Sequence, residues 1–274
     1  MKGILDFQKK EIVNVFDEIS LWAAPFGRLL LEHIPMNKNA KILDLGFGTG
    51  FPLIELSQRF GEEATIYGMD IWPEAIKRTK KKIEILGLKN VEIFEQSADK
   101  IPLDNGVIDL ICSNLGLNNF NNKGEILLEC FRVLKDKGTL SICTNPVGTF
   151  KELFSLFLET LEELKLKESL ELFEEYLEHR ESKEKIITDF SKMGFEKVKE
   201  EEDETSMRFV DAAALLDHGL IRIGFLATWH RIIPEEFHQQ FFDLLKSKID
   251  TVIQEEGVFK MSIPILYLQF EKDE

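Results

Sequence analysis

Cysteine, histidine and long apolar runs are all scarce in this 274-residue chain, and positive charge is in deficit. The three cysteines, Cys112, Cys130 and Cys143, are odd in number and lack CxxC spacing. Their neighbours, such as Leu110, Ile111, Leu128 and Ile142, are apolar, so they read as buried thiols of a reducing compartment, not as a disulfide frame or a zinc site. Nowhere do about 18 apolar residues run together, so no membrane span is expected. The opening MKGILDFQKKEI holds no apolar stretch long enough for a secretion signal, and a cytoplasmic protein is expected. Lys plus Arg number 34 against 49 Asp plus Glu, a net charge of −15. Such a surface repels phosphate backbones, and no nucleic-acid partner is expected. The one dense basic run, Lys77 to Lys82, lies mostly off the helical stripe of Ala75, Ile76, Thr79, Ile83 and Leu86 and reads as a solvated face.

What is present is an ordinary globular composition, 44% hydrophobic and 30% charged. The length suggests about two units, or one domain with a large insertion. From residue 39 short β-branched runs alternate with amphipathic stretches, the mark of βαβ units and a parallel sheet. Strands are expected at 40–45, 64–69, 91–95, 107–113 and 138–144. Helices are expected at 51–60, 73–86 and 123–134. After Asn145-Pro146 come one or two long helices over Phe150 to His179, then a helix at 182–193 closed by Gly194 and a strand at 195–198. An insertion over about 200–260 carries a helix opened by Asp211 and a long one from Pro234 to Glu256. A last strand is expected at 262–270.

The segment LDLGFGTG, Leu43 to Gly50, falls where a strand ends and a helix begins. Gly46, Gly48 and Gly50 let the backbone turn sharply and leave room for a ligand against bare main chain. Asp70 follows Gly50 by 20 residues, at the end of the second strand, where a carboxylate can accept hydrogen bonds from a ribose diol. The dinucleotide fingerprint would want a glycine at Phe51. Instead Asp44 stands at the mouth of the loop, where it would repel a pyrophosphate and suit an ammonium group. That favours S-adenosylmethionine over NAD.

The segment resembles the first motif of class I S-adenosylmethionine-dependent methyltransferases, most closely the ubiquinone/menaquinone-type small-molecule enzymes. Asp70-Ile71-Trp72 resembles the second motif, whose acid holds the ribose and whose next residue packs on the adenine. Ser97-Ala98-Asp99 resembles the third cofactor element, with its Asp facing the adenine amino group. Val107 to Asn114 resembles the fourth strand, with Asn114 beside the methyl donor, and Arg132 to Gly138 the turn before strand five. The resemblance covers about residues 37–146 and the two final strands. It implies a Rossmann-like, doubly wound α/β fold: a seven-stranded sheet with an antiparallel last strand, and helical insertions forming a cap.

The expected organisation is N-terminal lid helices at 1–36, a cofactor-binding core at 37–149 and a helical insertion at 150–181. Core helix and strand six then fill 182–204, a helical cap 205–260 and the last core strand 261–274. The acceptor pocket should lie beyond the carboxyl ends of the strands. Trp22 and Phe26 on an amphipathic stretch at 15–31, with Arg208, Arg222 and Trp229 in the cap, are the candidates to line it. His218 and His230 are the candidates for a base, although direct transfer from a sulfonium can proceed without one. The expected reaction is methylation of a small molecule. A protein or RNA acceptor on the same fold, or a non-catalytic S-adenosylmethionine-binding scaffold, are the alternatives. The long Phe-rich helices leave room for a homodimer through the insertions.

Overall fold

Strands rich in Ile, Leu and Val that are buried on both faces form the centre of the sheet. β1 (Lys41–Leu45), β2 (Thr65–Asp70), β3 (Val91–Glu95), β4 (Ile108–Asn114) and β5 (Leu134–Thr144) are all parallel. With β6 (Phe195–Phe209) and β7 (Phe259–Lys272) they give one sheet of order β3-β2-β1-β4-β5-β7-β6, with β7 antiparallel to β5. The chain leaves β1 first to one side and then to the other. The carboxyl ends of β1 and β4 therefore flank the switch point, where open α/β sheets bind ligands. A computed structural model describes residues 1–6, 9–16, 20–116, 119–120, 122–178 and 180–273; side chains of residues 20 and 21 are not described.

Around the sheet lie α1 (Val13–Phe16), α2 (Ser20–His33), α3 (Leu53–Phe60), α4 (Pro73–Leu86), α5 (Lys123–Val133) and, after a gap in sequence, α8 (Lys183–Ser191). The expected lid stretch 15–31 crosses residues outside the described set; its described parts are the end of α1 and most of α2. These elements belong to a unit of Val13–Asn145, Ser182–Asp203 and Ile265–Glu274. Its core is aliphatic along β1, β4 and β5 (Leu43, Ile111, Leu140) and gains Phe190 and Phe270, stacked with centroids 4.4 Å apart. The cysteines are buried there without disulfides. Burial pushes the Cys130 thiol up to about 12 and raises those of Cys112 and Cys143 as well, so none is a ready nucleophile.

The second unit comprises Met1–Ile12, Pro146–Glu181 and Glu204–Pro264. It holds α6 (Lys151–Glu163), α7 (Lys167–Glu178), α9 (Ala212–Leu216), α10 (Gly219–Gly224), α11 (Leu226–Ile232) and α12 (His238–Glu256). The expected helical stretch 150–179 breaks into α6 and α7 around Lys165, whose φ is 56°, and His179 lies outside the described residues. The core is aromatic: Phe157 stacks on Phe173 at 4.0 Å and meets Phe241 at 4.6 Å and Trp229 at 5.4 Å. Lys248 of α12 pairs with Glu163 of α6 at 2.9 Å.

Two sequence boundaries need correction. Strand six runs to Phe209 instead of stopping at Val198, because Lys183 bridges Glu200 and Glu202, and Lys197 pairs with Glu200. These pairs neutralise an acidic tract that read as an insertion. Strand five begins at Leu134, before the expected turn, and that turn survives as an irregularity: Ile108 and Leu110 oppose Leu134 and Thr139. Lys137 takes a φ of 61° there, and a Cβ on Gly138 would lie 2.7 Å from the Lys135 carbonyl oxygen.

Candidate active site

The turn after β1 is built on its glycines. Gly46, Gly48 and Gly50 have φ of 79°, 53° and 106°, conformations that L side chains rarely adopt. At Gly50 a Cβ would also fall 2.9 Å from Ile54 and 3.2 Å from Thr79, whereas at Gly48 the space is open. Gly50 thus serves packing, and Gly48 leaves bare main chain facing outward. The turn is fixed by hydrogen bonds from the Gly46 amide to the Met69 carbonyl at 2.8 Å and from the Gly50 amide to that of Phe47 at 2.9 Å.

Asp70 ends β2 beside this turn. One carboxylate oxygen accepts from the Gly48 amide at 2.7 Å and the other from the Trp72 amide at 2.8 Å. Each oxygen keeps a lone pair for a further donor such as a ribose hydroxyl. The following Ile71 is 71% exposed, an apolar face that nothing in the fold requires at that place. Trp72 does not continue this face; it meets Phe16 edge-on at 5.1 Å. Ala98 is buried and Asp99 half-buried in the turn after β3. That turn is clamped by Arg132, which donates to the carbonyls of Ile101 and Leu103 at 2.8 Å each and to Glu129 at 2.7 Å. Glu129 in turn accepts from the Ile101 amide, and Arg132 holds its carboxyl below the usual range.

Asp44 has the opposite environment. It is fully buried, and neither carboxylate oxygen has a hydrogen-bond partner. Burial, with a smaller contribution from the charge of Asp70, pushes its pKa up to about 8; the Leu53 amide opposes this without meeting hydrogen-bond geometry. On the adjacent strand β4, Asn114 donates from Nδ2 to the Ala23 carbonyl of α2 at 3.3 Å, while its Oδ1 is buried and unpartnered. Three orphaned acceptor oxygens on neighbouring strand ends are what a cationic donor would satisfy. The residues therefore fit S-adenosylmethionine. Asp44 and Asn114 would hold its ammonium end, the Gly46–Gly48 main chain would lie along it, Asp70 would take the ribose, and Ile71, Ala98 and Asp99 would take the adenine.

Sequence reasoning missed three supports of this site. Thr79, counted only as an apolar-stripe residue, donates its hydroxyl to the Gly48 carbonyl at 3.0 Å. Lys82, assigned to a solvated face, is a correction: it turns back to donate to the Thr49 carbonyl at 2.7 Å. Removing the hydroxyl by Thr79→Val should weaken S-adenosylhomocysteine binding about fivefold, near 1 kcal/mol, with little change in melting temperature, as titration calorimetry would read. The third support is Gly27 of α2, where a Cβ would lie 2.1 Å from the Phe51 ring. Gly27→Ala must therefore displace either α2 or the end of the glycine turn. It should cost about 1–3 kcal/mol in a denaturant melt.

The other candidates part company. Trp22 is half-buried and tilts against the fully buried Phe26 at 5.5 Å, both on α2. Arg208, Arg222, Trp229, His218 and His230 all belong to the helical unit. His218 caps α10, its Nδ1 accepting from the Leu220 amide at 3.2 Å, so that nitrogen is not free to act as a base. Burial lowers its pKa. His230 packs 4.3 Å from His238, and burial, then that neighbour, lowers its pKa; its Nε2 is buried and unpartnered. Arg208 is exposed on β6, and Arg222 donates to the Gly3 carbonyl at 2.9 Å. Trp229, expected as a pocket wall, is 0% exposed and is core.

A family model described as a methyltransferase domain matches residues 36–207. The demethylmenaquinone methyltransferase of Lactococcus lactis subsp. lactis (strain IL1403) is 27% identical over 162 residues, 57% of this chain and 62% of that one. The ubiquinone/menaquinone biosynthesis C-methyltransferase UbiE of Blochmanniella pennsylvanica (strain BPEN) is 33% identical over 117 residues, 42% and 46% of the two chains. The chain thus spans less than two thirds of the length of these curated relatives. The crystal structure of a SAM dependent methyltransferase from Aquifex aeolicus shares the fold, with a TM-score of 0.54, 21% identity, and coverage of 70% of this chain and 91% of that one.

Proposed function

This chain belongs to the class I S-adenosylmethionine-dependent methyltransferases, and on that footing we propose that it transfers a methyl group to a small-molecule acceptor by direct in-line displacement. The observation that carries the reading is the contrast between two aspartates. Asp70 is satisfied by main-chain amides with lone pairs to spare, while Asp44 is buried and unpaired. Such a pair suits a ligand with a hydroxylated end and a cationic end. When bound, S-adenosylmethionine supplies a methyl group already activated on a sulfonium.

The chain's own work is then binding and orientation. Asp44 and the Oδ1 of Asn114 anchor the ammonium end, while Asp70 and the glycine turn fix the ribose end. Holding the donor at both ends lets an acceptor meet it at near-contact distance, which alone supplies much of the acceleration. A small acceptor fits the names of the curated relatives, which act on quinone precursors, and the net charge of −15 is unfavourable to RNA. The test is release of S-adenosylhomocysteine in a screen of small acceptors, including reduced quinones, phenols, amines and carboxylic acids. Turnover with one class supports the reading. Silence across all of them from a protein that binds S-adenosylhomocysteine would favour a non-catalytic binder.

A further inference from the structure

The helical unit holds a charged side chain without a counter-charge. Arg180, just beyond α7, places its guanidinium carbon 5.5 Å from the ring centroid of Phe154, 5.7 Å from that of Phe225 and 6.0 Å from that of Tyr176. Its Nε is buried with no hydrogen-bond partner, and among the described residues no carboxylate forms an ion pair with it. That is unexpected in a chain with 49 acidic residues. A second orphan borders the same ring. Trp229 is 0% exposed, its ring lies 6.0 Å from that of Phe225, and its Nε1 has no acceptor.

Arginine and the indole N–H can only donate; the Tyr176 hydroxyl accepts from the guanidinium, but the rings offer the Arg180 Nε and the Trp229 Nε1 nothing beyond the weak attraction of a ring face. Burying these two N–H groups without an acceptor is unfavourable, and one anionic group would relieve both. A guanidinium offers its Nε–H and a neighbouring Nη–H as a side-on fork that matches the two oxygens of a carboxylate. The rings suit an apolar body attached to it. A phosphate dianion would lose far more hydration among phenyl groups than a carboxylate would.

We propose that Arg180 and Trp229 form a binding site for the carboxylate of a small apolar acid, with Phe154, Tyr176 and Phe225 enclosing its hydrocarbon part. The site lies wholly within the helical unit and does not depend on the methyl-transfer reading.

The full chain, labelled with nitrogen-15, provides the test. Its three tryptophans give separate indole N–H signals, and Trp22→Phe and Trp72→Phe identify that of Trp229 by elimination. Titration with phenylacetate should move the Trp229 signal downfield and saturate with a Kd of about 1 mM or tighter. Phenylacetamide, the neutral isostere, should bind at least about tenfold more weakly, and inorganic phosphate should not compete. Arg180→Gln should weaken phenylacetate about tenfold or more, with Arg180→Lys between, because lysine keeps the charge and loses the fork. The proposal is overturned by a signal that does not saturate with phenylacetate, by equal affinity for the amide, by phosphate competing on equal terms, or by a folded Arg180→Gln protein with unchanged affinity. Should Arg180→Gln not fold, the amide and phosphate comparisons on the native chain still decide the matter.

Discussion

Asp44→Asn should make the ligand-free protein more stable at pH 8 while crippling its affinity for S-adenosylhomocysteine. A carboxyl pushed up to about 8 by burial is protonated in the folded state at pH values where the unfolded chain has already ionised. Between about pH 4 and pH 8 the native state therefore binds more protons than the unfolded one, and stability falls as pH rises, by as much as about 1.4 kcal/mol per unit. The penalty is complete only above pH 8. Asparagine removes the ionisable group and keeps the shape, so the gain should approach about 5 kcal/mol at pH 8, some four pH units of that slope, and should vanish near pH 4. Melting curves of both proteins at the two pH values check this. At pH 7 the same substitution forfeits the ion pair with an ammonium group, and affinity should drop about 30-fold, some 2 kcal/mol. Stabilisation with loss of binding is the signature of a charge kept for a ligand. A purely structural aspartate would lose stability instead.

Asp70→Ala should have the larger effect on binding, about 100-fold, because the carboxylate has two roles at once. Its oxygens accept from the amides of Gly48 and Trp72, and so tie the glycine turn to the start of α4. Alanine strands both amides and removes the acceptors for a ribose diol, a combined loss near 3 kcal/mol. Asp70→Asn retains a single acceptor oxygen and should fall between, about tenfold weaker than the native protein. Calorimetric titration of the three proteins gives the order. If alanine and asparagine weakened binding equally, the carboxylate would be acting through charge alone and not through its two main-chain bonds.

Much of this site could be read in order along the chain, because its key signals are local. Alternate glycines after a strand, and an acid 20 residues on at the end of the next, are set by backbone geometry within one βαβ unit. What stayed hidden depends on contacts across space. Thr79 and Lys82 bond carbonyls of the glycine turn about 30 positions earlier, and on a helical wheel they are only stripe and polar face. Arg132 clamps the turn behind Ala98 and Asp99 from a helix whose sequence advertises only a common arginine. The contact of Gly27 with Phe51 has no sequence signal, since a glycine in a helix also reads as mere tolerance. In the helical unit, Trp229 pointed to a pocket wall, whereas it is fully buried among other rings. Spacing alone does not separate a ring that faces a ligand from one that faces another ring. Arg180 went unnoticed because an arginine in a Glu-rich stretch predicts a surface salt bridge, which none of the described residues gives it.

The decisive measurement is the proton balance of cofactor binding. S-Adenosylhomocysteine should be titrated into the native chain at pH 7 in buffers of different ionisation enthalpy. If an ammonium group meets the buried acid at the end of β1, the acid must ionise, and about one proton should leave per site at pH 7, whereas at pH 9.5, with the acid already ionised and the ligand amine largely neutral in solution, protons should be taken up. The Asp44→Asn protein should release none at either pH. Tight binding at pH 7 with no proton release from the native chain would mean that Asp44 does not face the ligand, and would contradict the account.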